Sequence, residues 1–529
     1  MKRTLMAALC CVLAGASILT AADSKAGGML VYGKPKDART LDPASVDEGN
    51  SSMVVTNIFE SLLGYKPGTT ELVPRLATSM PTISKDNLEI TFKLRQGVKF
   101  HDGTTLDADA VVFSLKRQND KTHPFFQYGP WKDWSSKGWS STYNSDGSVK
   151  TLGIVKDIVK VDNSTVKVLL NKPDSTMLYK FALYFTSVIS PAAAQKYGAD
   201  FKSHPVGTGP FQFVEWQKDS HVALKRFEGY WGEKAHLNGI IFKVFPDEQA
   251  RILALKKGEA DIIDPPGPEG MKTIEEDANL KLQQGDILSI GYLALNCESG
   301  PLANKQLRQA LSFAVDRKAI LNSVYGKTGV YEKLPMPNLL WGYDKSVPDY
   351  TFNPEKAKSL IKASGVATPI KLNIMYLPAW RPYNPSGKRV AEIMQAQLKN
   401  VGFDVTVQTF DMGTYWDNVD AGKFDVAMTG WTGEGDPDSF LFSLFTEGYL
   451  NSSRWKSKAY VDLVTQAKLV YAIPERAKLY SKAEKILMEE APVLMLARGV
   501  EWRPMNKKVQ GYVIYPTGLI NLAPVYLTK

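Results

Sequence analysis

Strand-like and helix-like segments alternate through the C-terminal half of the chain. Residues 370–376 and 405–410 have the apolar, β-branched character of strands, and residues 387–400 between them carry apolar side chains at helical spacing. A helix pattern also covers residues 305–315, and Pro354 opens another helix that ends near Gly365. This β-α-β order predicts a lobe of the α/β class.

The chain is too long for one hydrophobic core. It has 529 residues, and single cores stop growing at roughly 250–300 residues, so at least two domains are expected. The region from Gly27 to about Asp286 also mixes strands and helices: residues 88–94 alternate as a half-buried strand, and Asp107 is placed to cap a helix. No internal repeat or low-complexity linker separates the regions, which predicts tightly joined lobes.

The N-terminus has the pattern of a secretory signal peptide. Lys2 and Arg3 precede an apolar or small segment from Leu5 to Thr20, and small residues at positions 20–22 offer a cleavage site. The apolar segment is too short to cross a membrane comfortably. A lipoprotein anchor at Cys10 or Cys11 is the alternative, but neither cysteine has a leucine three residues before it. Residues 1–22 are therefore interpreted as a cleaved leader, and the mature chain as periplasmic.

Cysteines and charge exclude several classes of protein. Removal of the leader leaves only Cys297, so no disulfide can form within the chain, and its position after a strand predicts a small buried residue. The net charge of +9 comes from 64 basic and 55 acidic residues without a run of five like charges. Such a mixed surface gives no sign of a nucleic-acid-binding arm.

The chemistry expected of an enzyme is missing from the sequence. The five histidines never stand at metal-ligand spacing, and neither HExxH, CxxC nor GxSxG occurs. Gly326-Lys327-Thr328 resembles the end of a phosphate-binding loop, but Leu321 replaces the required first glycine. We therefore predict no catalytic residues, no metal and no cofactor; an exported hydrolase with an unrecognised site is the remote alternative.

Several short motifs, in one order along the chain, resemble a family of binding proteins. They are RTLDP (39–43), NIFESL (57–62), ELVPRLA (71–77), FKLRQGVKFHDG (92–103), PVGTGPF (205–211), GYWG (229–232), LRQA (307–310) and NPEKA (353–357). Together they resemble the bacterial extracellular solute-binding proteins of family 5, which serve ABC importers. The nearest resemblance is to the dipeptide-binding branch.

The resemblance implies an α/β fold of two lobes with a ligand cleft between them, the class II type of periplasmic binding protein. Lobe I would comprise residues 23–286 and 499–529, and lobe II residues 287–498. The implied function is capture of short peptides and their delivery to the permease subunits of an ABC transporter in the inner membrane. A monomer that closes over its ligand is expected.

The resemblance also implies a ligand site. Arg381 and Tyr383 lie in the sequence WRPYNP (380–385), and Gly430, Trp431 and Gly433 lie in GWTG (430–433). In this branch the arginine holds the peptide carboxylate, and an acid after GWTG holds the amine. An arginine suits a carboxylate because it donates two parallel hydrogen bonds, and either ligand charge would be costly to bury alone.

The sequence departs from the dipeptide-binding branch at three places. Glu434 occupies the position of the acid and the loop after it is one residue shorter, so Asp436 is a second candidate; either acid could instead cap the next helix. Met412 replaces a tryptophan of the side-chain pocket, and Asp47 and Gly49 in the facing lobe add an acid. Haem, glutathione, a nickel complex or an oligosaccharide therefore stay open as alternative ligands.

Overall fold

The computed structural model describes residues 27–129, 139–143, 149–448 and 450–528. The predicted signal peptide lies outside these residues. Within them, no helix combines the length and the apolar character needed to cross a membrane.

Helices and strands alternate along both halves of the described chain. The α-helices are α1 Gly49–Ile58, α2 Ala108–Asn119, α3 Met177–Lys180, α4 Pro191–Tyr197, α5 Glu248–Lys256, α6 Pro268–Glu275, α7 Lys305–Ala314, α8 Arg317–Ile320, α9 Pro354–Ala363, α10 Gly387–Lys399, α11 Met412–Asp420, α12 Asp438–Phe445, α13 Lys458–Leu469 and α14 Ile473–Glu490. The strands are β1 Met29–Lys34, β2 Leu63–Tyr65, β3 Leu72–Pro74, β4 Thr82–Ile83, β5 Glu89–Lys93, β6 Thr142–Tyr143, β7 Val149–Thr151, β8 Val155–Asp162, β9 Thr165–Leu170, β10 Phe211–Gln217, β11 His221–Arg226, β12 Gly239–Val244, β13 Ile262–Ile263, β14 Leu280–Asp286, β15 Ser289–Leu295, β16 Gly329–Tyr331, β17 Ile370–Met375, β18 Phe403–Gln408, β19 Val426–Thr432, β20 Val493–Asn506, β21 Val509–Gln510 and β22 Tyr526–Leu527.

The local signals in the sequence account for these elements. The Asp107 side chain accepts a hydrogen bond from the Ala110 amide and caps α2, as predicted. The predicted helices at 305–315, 354–365 and 387–400 are α7, α9 and α10. Gly365 follows α9 with a φ of 72°, a left-handed conformation that glycine adopts without steric cost. The α/β prediction is confirmed.

One twelve-stranded sheet runs through the molecule. Its strand order is β10-β11-β12-β1-β13-β20-β15-β19-β17-β18, and β14 and β16 also pair with β20. Strand β20 pairs with β15 and β16 along residues 493–499, and with β14 along residues 500–506. A single strand therefore belongs to both parts of the sheet.

The hydrophobic cores divide the chain into two lobes. One core contains buried residues only between Leu288 and Ala497. The other three draw their buried residues from before Leu282 and after Pro504. We call the part around these three cores lobe I and the part around the first core lobe II. The boundaries at 286/287 and 498/499 stay predictions, although they coincide with the change of partner along β20.

Candidate functional site

A cavity of about 470 Å³ opens in lobe II at the ends of β15 and β19. Four aromatic side chains line it: Tyr292, Tyr383, Trp416 and Trp431. Leu444 and Leu450 add apolar surface, while Asp420 and Ser452 add polar groups. A concave, mostly apolar wall with a few polar groups is the usual form of a small-molecule site. Tyr383, Gly430 and Trp431, all predicted from the sequence, meet here.

A turn from Arg381 to Asn384 rests against this wall. The Arg381 amide donates to the Asn384 carbonyl at 3.1 Å, and the Asn384 amide donates back to the Arg381 carbonyl at 2.9 Å. Tyr383 packs on Gly291 and Gly430, which face each other in β15 and β19. A Cβ at Gly291 would lie 2.2 Å from the Tyr383 carbonyl oxygen, and a Cβ at Gly430 would lie 2.2 Å from the Tyr383 ring. Glycine is required at both positions for this close approach.

The same turn touches the strand that both lobes share. A Cβ at Gly499 of β20 would lie 2.9 Å from the Pro382 carbonyl and from the Ser289 hydroxyl. Residue 499 is the last residue of β20 that pairs with lobe II. The turn carrying Arg381 therefore lies at the crossing between the lobes.

Arg381 is half-buried beside Tyr383. Its Nη1 donates to the Trp380 carbonyl at 3.0 Å. Burial raises the pKa of Tyr383, and the nearby Arg381 charge partly offsets that rise. Arg381 forms no ion pair with an acid in the described parts of the chain. Its guanidinium keeps donors for an anionic group of a ligand.

Glu434 lies two residues after the end of β19, and a hydrogen bond from its backbone amide holds it in position. Its amide donates to the Ser439 hydroxyl at 3.0 Å. Gly433 allows the chain to pass the Phe440 ring, where a Cβ would lie 2.4 Å from a ring carbon. The Glu434 carboxylate forms an ion pair with Lys180 of lobe I. Glu434, the predicted partner of the ligand amine, therefore lies where the two lobes meet. Its carboxylate is already paired with a cation of lobe I, Lys180.

Asp436, the second candidate, is held in a buried ion pair with Arg476, and its role toward the ligand stays a prediction. Its carboxylate accepts two hydrogen bonds from Arg476, at 2.7 and 2.9 Å, and a third from the Asp438 amide at 2.9 Å. The side chains of Asp436 and Arg476 are each 2% exposed. Moving this carboxylate into the cleft would leave the buried Arg476 without its acidic partner. The alternative that one of these acids caps α12 stays a prediction: the N-cap position is Pro437, and the Asp436 side chain accepts a hydrogen bond from the amide of Asp438, the first residue of the helix.

Asp47, Gly49 and Met412 lie outside the wall of this cavity. Asp47 is exposed and lies 3.7 Å from Arg39, and Gly49 begins α1 with open space where a Cβ would be. Met412 begins α11 and packs partly against the lobe II core. Trp416, one helical turn later on α11, reaches the cavity instead. Their roles as ligand contacts stay predictions.

Sequence reasoning missed most of the other residues of the site, among them Tyr292, Trp416, Asp420 and Lys180. Tyr292 lies in a strand whose residues are all buried, so alternation could not identify the side that faces the cavity. Trp416 and Asp420 lie at successive four-residue steps from Met412, a signal that was available. Lys180 is 254 residues from Glu434, and no local pattern links the two.

A second cavity of about 550 Å³ lies between the lobes. It is lined by both lobes, including Glu71, Tyr179, Trp341 and Arg476. None of the residues predicted for the ligand site lines it. We therefore take the aromatic cavity of lobe II as the candidate site.

The described residues contain no group of three or more histidines, cysteines and acids that could hold a metal ion. Cys297 is partly buried, and its thiol lies 3.3 Å from the Leu295 carbonyl oxygen. Burial raises the pKa of this thiol to about 12, which leaves little thiolate at neutral pH.

Known proteins resemble the chain along most of its length. The family model for the middle region of bacterial extracellular solute-binding proteins, family 5, matches residues 71–452. The dipeptide-binding protein of Escherichia coli K12 is 34% identical over 517 residues, covering 94% of this chain and 95% of that protein. Heme-binding protein A of Haemophilus influenzae is 33% identical over 515 residues, covering 94% of this chain and 92% of that protein. The structure of HbpA2 from Haemophilus parasuis has a TM-score of 0.87 at 34% identity, covering 95% of this chain and all of that one.

Proposed function

Because the chain belongs to family 5 of the bacterial extracellular solute-binding proteins, we propose that it captures short peptides, dipeptides first, and delivers them to an ABC transporter. The protein is exported by its signal peptide, works in the periplasm as a monomer, and docks on permease subunits in the inner membrane. It makes and breaks no covalent bond.

The observation that carries this proposal is the arrangement of the two charged groups around the aromatic cavity. Neither side chain lines the cavity itself, but Arg381 is two residues from Tyr383 and Glu434 is two residues after Thr432, and both Tyr383 and Thr432 line it. A peptide with free ends is a zwitterion and needs one cationic and one anionic partner. The aromatic rings offer apolar surface to a peptide side chain between those ends.

Closure of the lobes follows from the shared strand. Arg498, in the lobe II part of β20, forms an ion pair of 2.5 Å with Asp286 at the end of lobe I strand β14. The change of partner along β20 and the segment from Asp286 to Ser289 give two crossings between the lobes. Two short crossings permit a hinge rotation that closes lobe I over the cavity.

Short peptides with free ends are expected to raise the melting temperature of the mature protein. A ligand at about 100 times its dissociation constant adds roughly 2.7 kcal/mol of stability. The measurement is a thermal shift with a panel of di- to pentapeptides, together with haem, glutathione and an oligosaccharide. A shift with one of the non-peptide ligands and none with any peptide would overturn the peptide assignment. Consumption of the peptides during the assay would instead point to a hydrolase.

The protein is expected to become more compact when a peptide binds, because hinge closure moves lobe I onto lobe II. Small-angle scattering with and without a saturating dipeptide measures the radius of gyration. The control is a peptide that produces no thermal shift, which should leave the radius unchanged. An unchanged radius with a dipeptide whose binding is established by calorimetry would contradict closure.

A further inference from the structure

The Lys180–Glu434 ion pair joins the two lobes at the proposed position of the ligand amine. Lys180 is the last residue of α3 in lobe I, and Glu434 follows β19 in lobe II. The two side chains are 12% and 17% exposed. A pair this shielded from water interacts more strongly than a surface ion pair, since solvent screening is weak there.

Lobe I holds Lys180 in place through a segment that is docked on lobe II. The Trp341 indole nitrogen donates to the Tyr179 hydroxyl at 2.8 Å, and the Ser175 amide donates to the Lys468 carbonyl at 2.7 Å. The Lys180 ammonium also lies 5.5 Å from the centre of the buried Trp139 ring. These contacts make Lys180 a fixed part of the cleft, in contrast to a solvated lysine that swings past Glu434.

The charges around the site are therefore unequal. Lys180 neutralises Glu434, and Arg381 forms no ion pair with any described acid. Burial raises the pKa of Tyr65, and the charge of Glu434 is the next contribution to that rise, which places this hydroxyl near the same carboxylate. A ligand amine that approaches Glu434 meets the positive charge of Lys180, whereas a ligand carboxylate that approaches Arg381 meets a charge that no described acid neutralises.

We propose that Lys180 is a specificity-determining residue that competes with a ligand amine for Glu434. This inference rests on the proposed peptide function. A free amine must displace Lys180 from the carboxylate or share the carboxylate with it. A ligand with a blocked amine leaves the ion pair intact. Lys180 thus reduces the preference for free-amine peptides that an unpaired Glu434 would give.

The test compares one dipeptide with its N-acetylated form on the whole mature protein, by calorimetry. Lys180→Met removes the competing charge and keeps an unbranched side chain. It should tighten the binding of the free-amine peptide and weaken the binding of the acetylated one. The ratio of the two dissociation constants should therefore change at least tenfold in favour of the free amine. A general effect of the substitution on folding or lobe closure changes both dissociation constants alike and therefore leaves their ratio unchanged. Lys167→Met, which breaks an ion pair with Glu89 inside lobe I, is the matched control and should leave the ratio unchanged.

Glu434→Gln completes the test because it removes the charge for which Lys180 and the amine compete. It should bring the two peptides to nearly equal affinity, and Lys180→Met should then have no further effect on the ratio. Equal changes for both peptides with Lys180→Met alone would overturn the inference. So would a full preference for the free amine in the Glu434→Gln protein, which would assign the amine to another acid such as Asp420. Binding of neither peptide to any of the proteins would overturn the proposed function and this inference with it.

Discussion

Arg381→Ala is expected to weaken the binding of a dipeptide with a free carboxylate by about 2–5 kcal/mol, which corresponds to a loss of roughly thirtyfold or more in affinity. The substitution leaves the ligand carboxylate in the closed cleft without its cationic partner, and an unpaired buried charge is costly. Calorimetric titration of the mature protein with the free acid measures the loss. The turn that carries Arg381 is held by the paired backbone hydrogen bonds of Arg381 and Asn384, so the melting temperature should change little.

Two controls separate this role from a general loss of the site. The C-terminally amidated dipeptide should bind the unmodified protein weakly, and Arg381→Ala should hardly weaken it further. Arg389→Ala removes an exposed arginine on α10 from the same part of the chain and should leave both affinities unchanged. Equal binding of amidated and free-acid peptides by the unmodified protein would exclude Arg381 as the carboxylate partner.

Arg476→Met is expected to lower the free energy of unfolding of the mature protein by about 3–5 kcal/mol. The substitution leaves the Asp436 carboxylate buried without its two hydrogen bonds from Arg476. Asp438 lies close by, and burial raises its pKa to about 7, so the region already disfavours negative charge. Arg476 also lies 5.0 Å from the centre of the Trp341 ring, a contact that methionine would replace only in part. Denaturant unfolding at neutral pH measures the change.

A second substitution tests the cause of that loss. Adding Asp436→Asn to the Arg476→Met protein removes the unpaired charge with little change in shape, and should recover part of the lost stability. Lys458→Met, which breaks an exposed ion pair with Asp462 on α13, should leave the unfolding midpoint unchanged. If the double variant is no more stable than Arg476→Met alone, the buried charge is not the source of the effect.

The fold could be predicted from sequence because its signals are local. Asp107, Pro354 and Gly365 mark helix ends by rules that involve only a few neighbouring residues. Part of the aromatic cavity could be predicted for a similar reason, because three of its residues, Tyr383, Gly430 and Trp431, lie in two short sequence motifs. The motifs did not explain why glycine is needed at position 430. That reason is the Tyr383 ring, which packs there from a distant part of the chain.

The charged groups of the site were harder to predict because their partners are distant in sequence. Glu434 and Asp436 are two residues apart, and both looked available to a ligand amine. In the folded chain Asp436 pairs with Arg476 and Glu434 pairs with Lys180, at separations of 40 and 254 residues. A pattern of residue types cannot distinguish two nearby acids whose difference is set by partners on other elements. Only the packing of α14 and α3 does so.

The contact between Gly499 and Pro382 has a consequence for the order of events when a ligand arrives. Points beside a pivot sweep short arcs during a rotation, and points far from it sweep long ones. Arg381 is next to Pro382, so it lies beside the crossing strand, and we expect a rotation of the lobes to change its surroundings little. The ligand carboxylate can therefore be captured while the entrance is still wide, and lobe I arrives afterwards. Loss of Arg381 should accordingly weaken the first complex as well as the closed one, while substitutions of the lobe I residues that reach the ligand should act only after it has been captured.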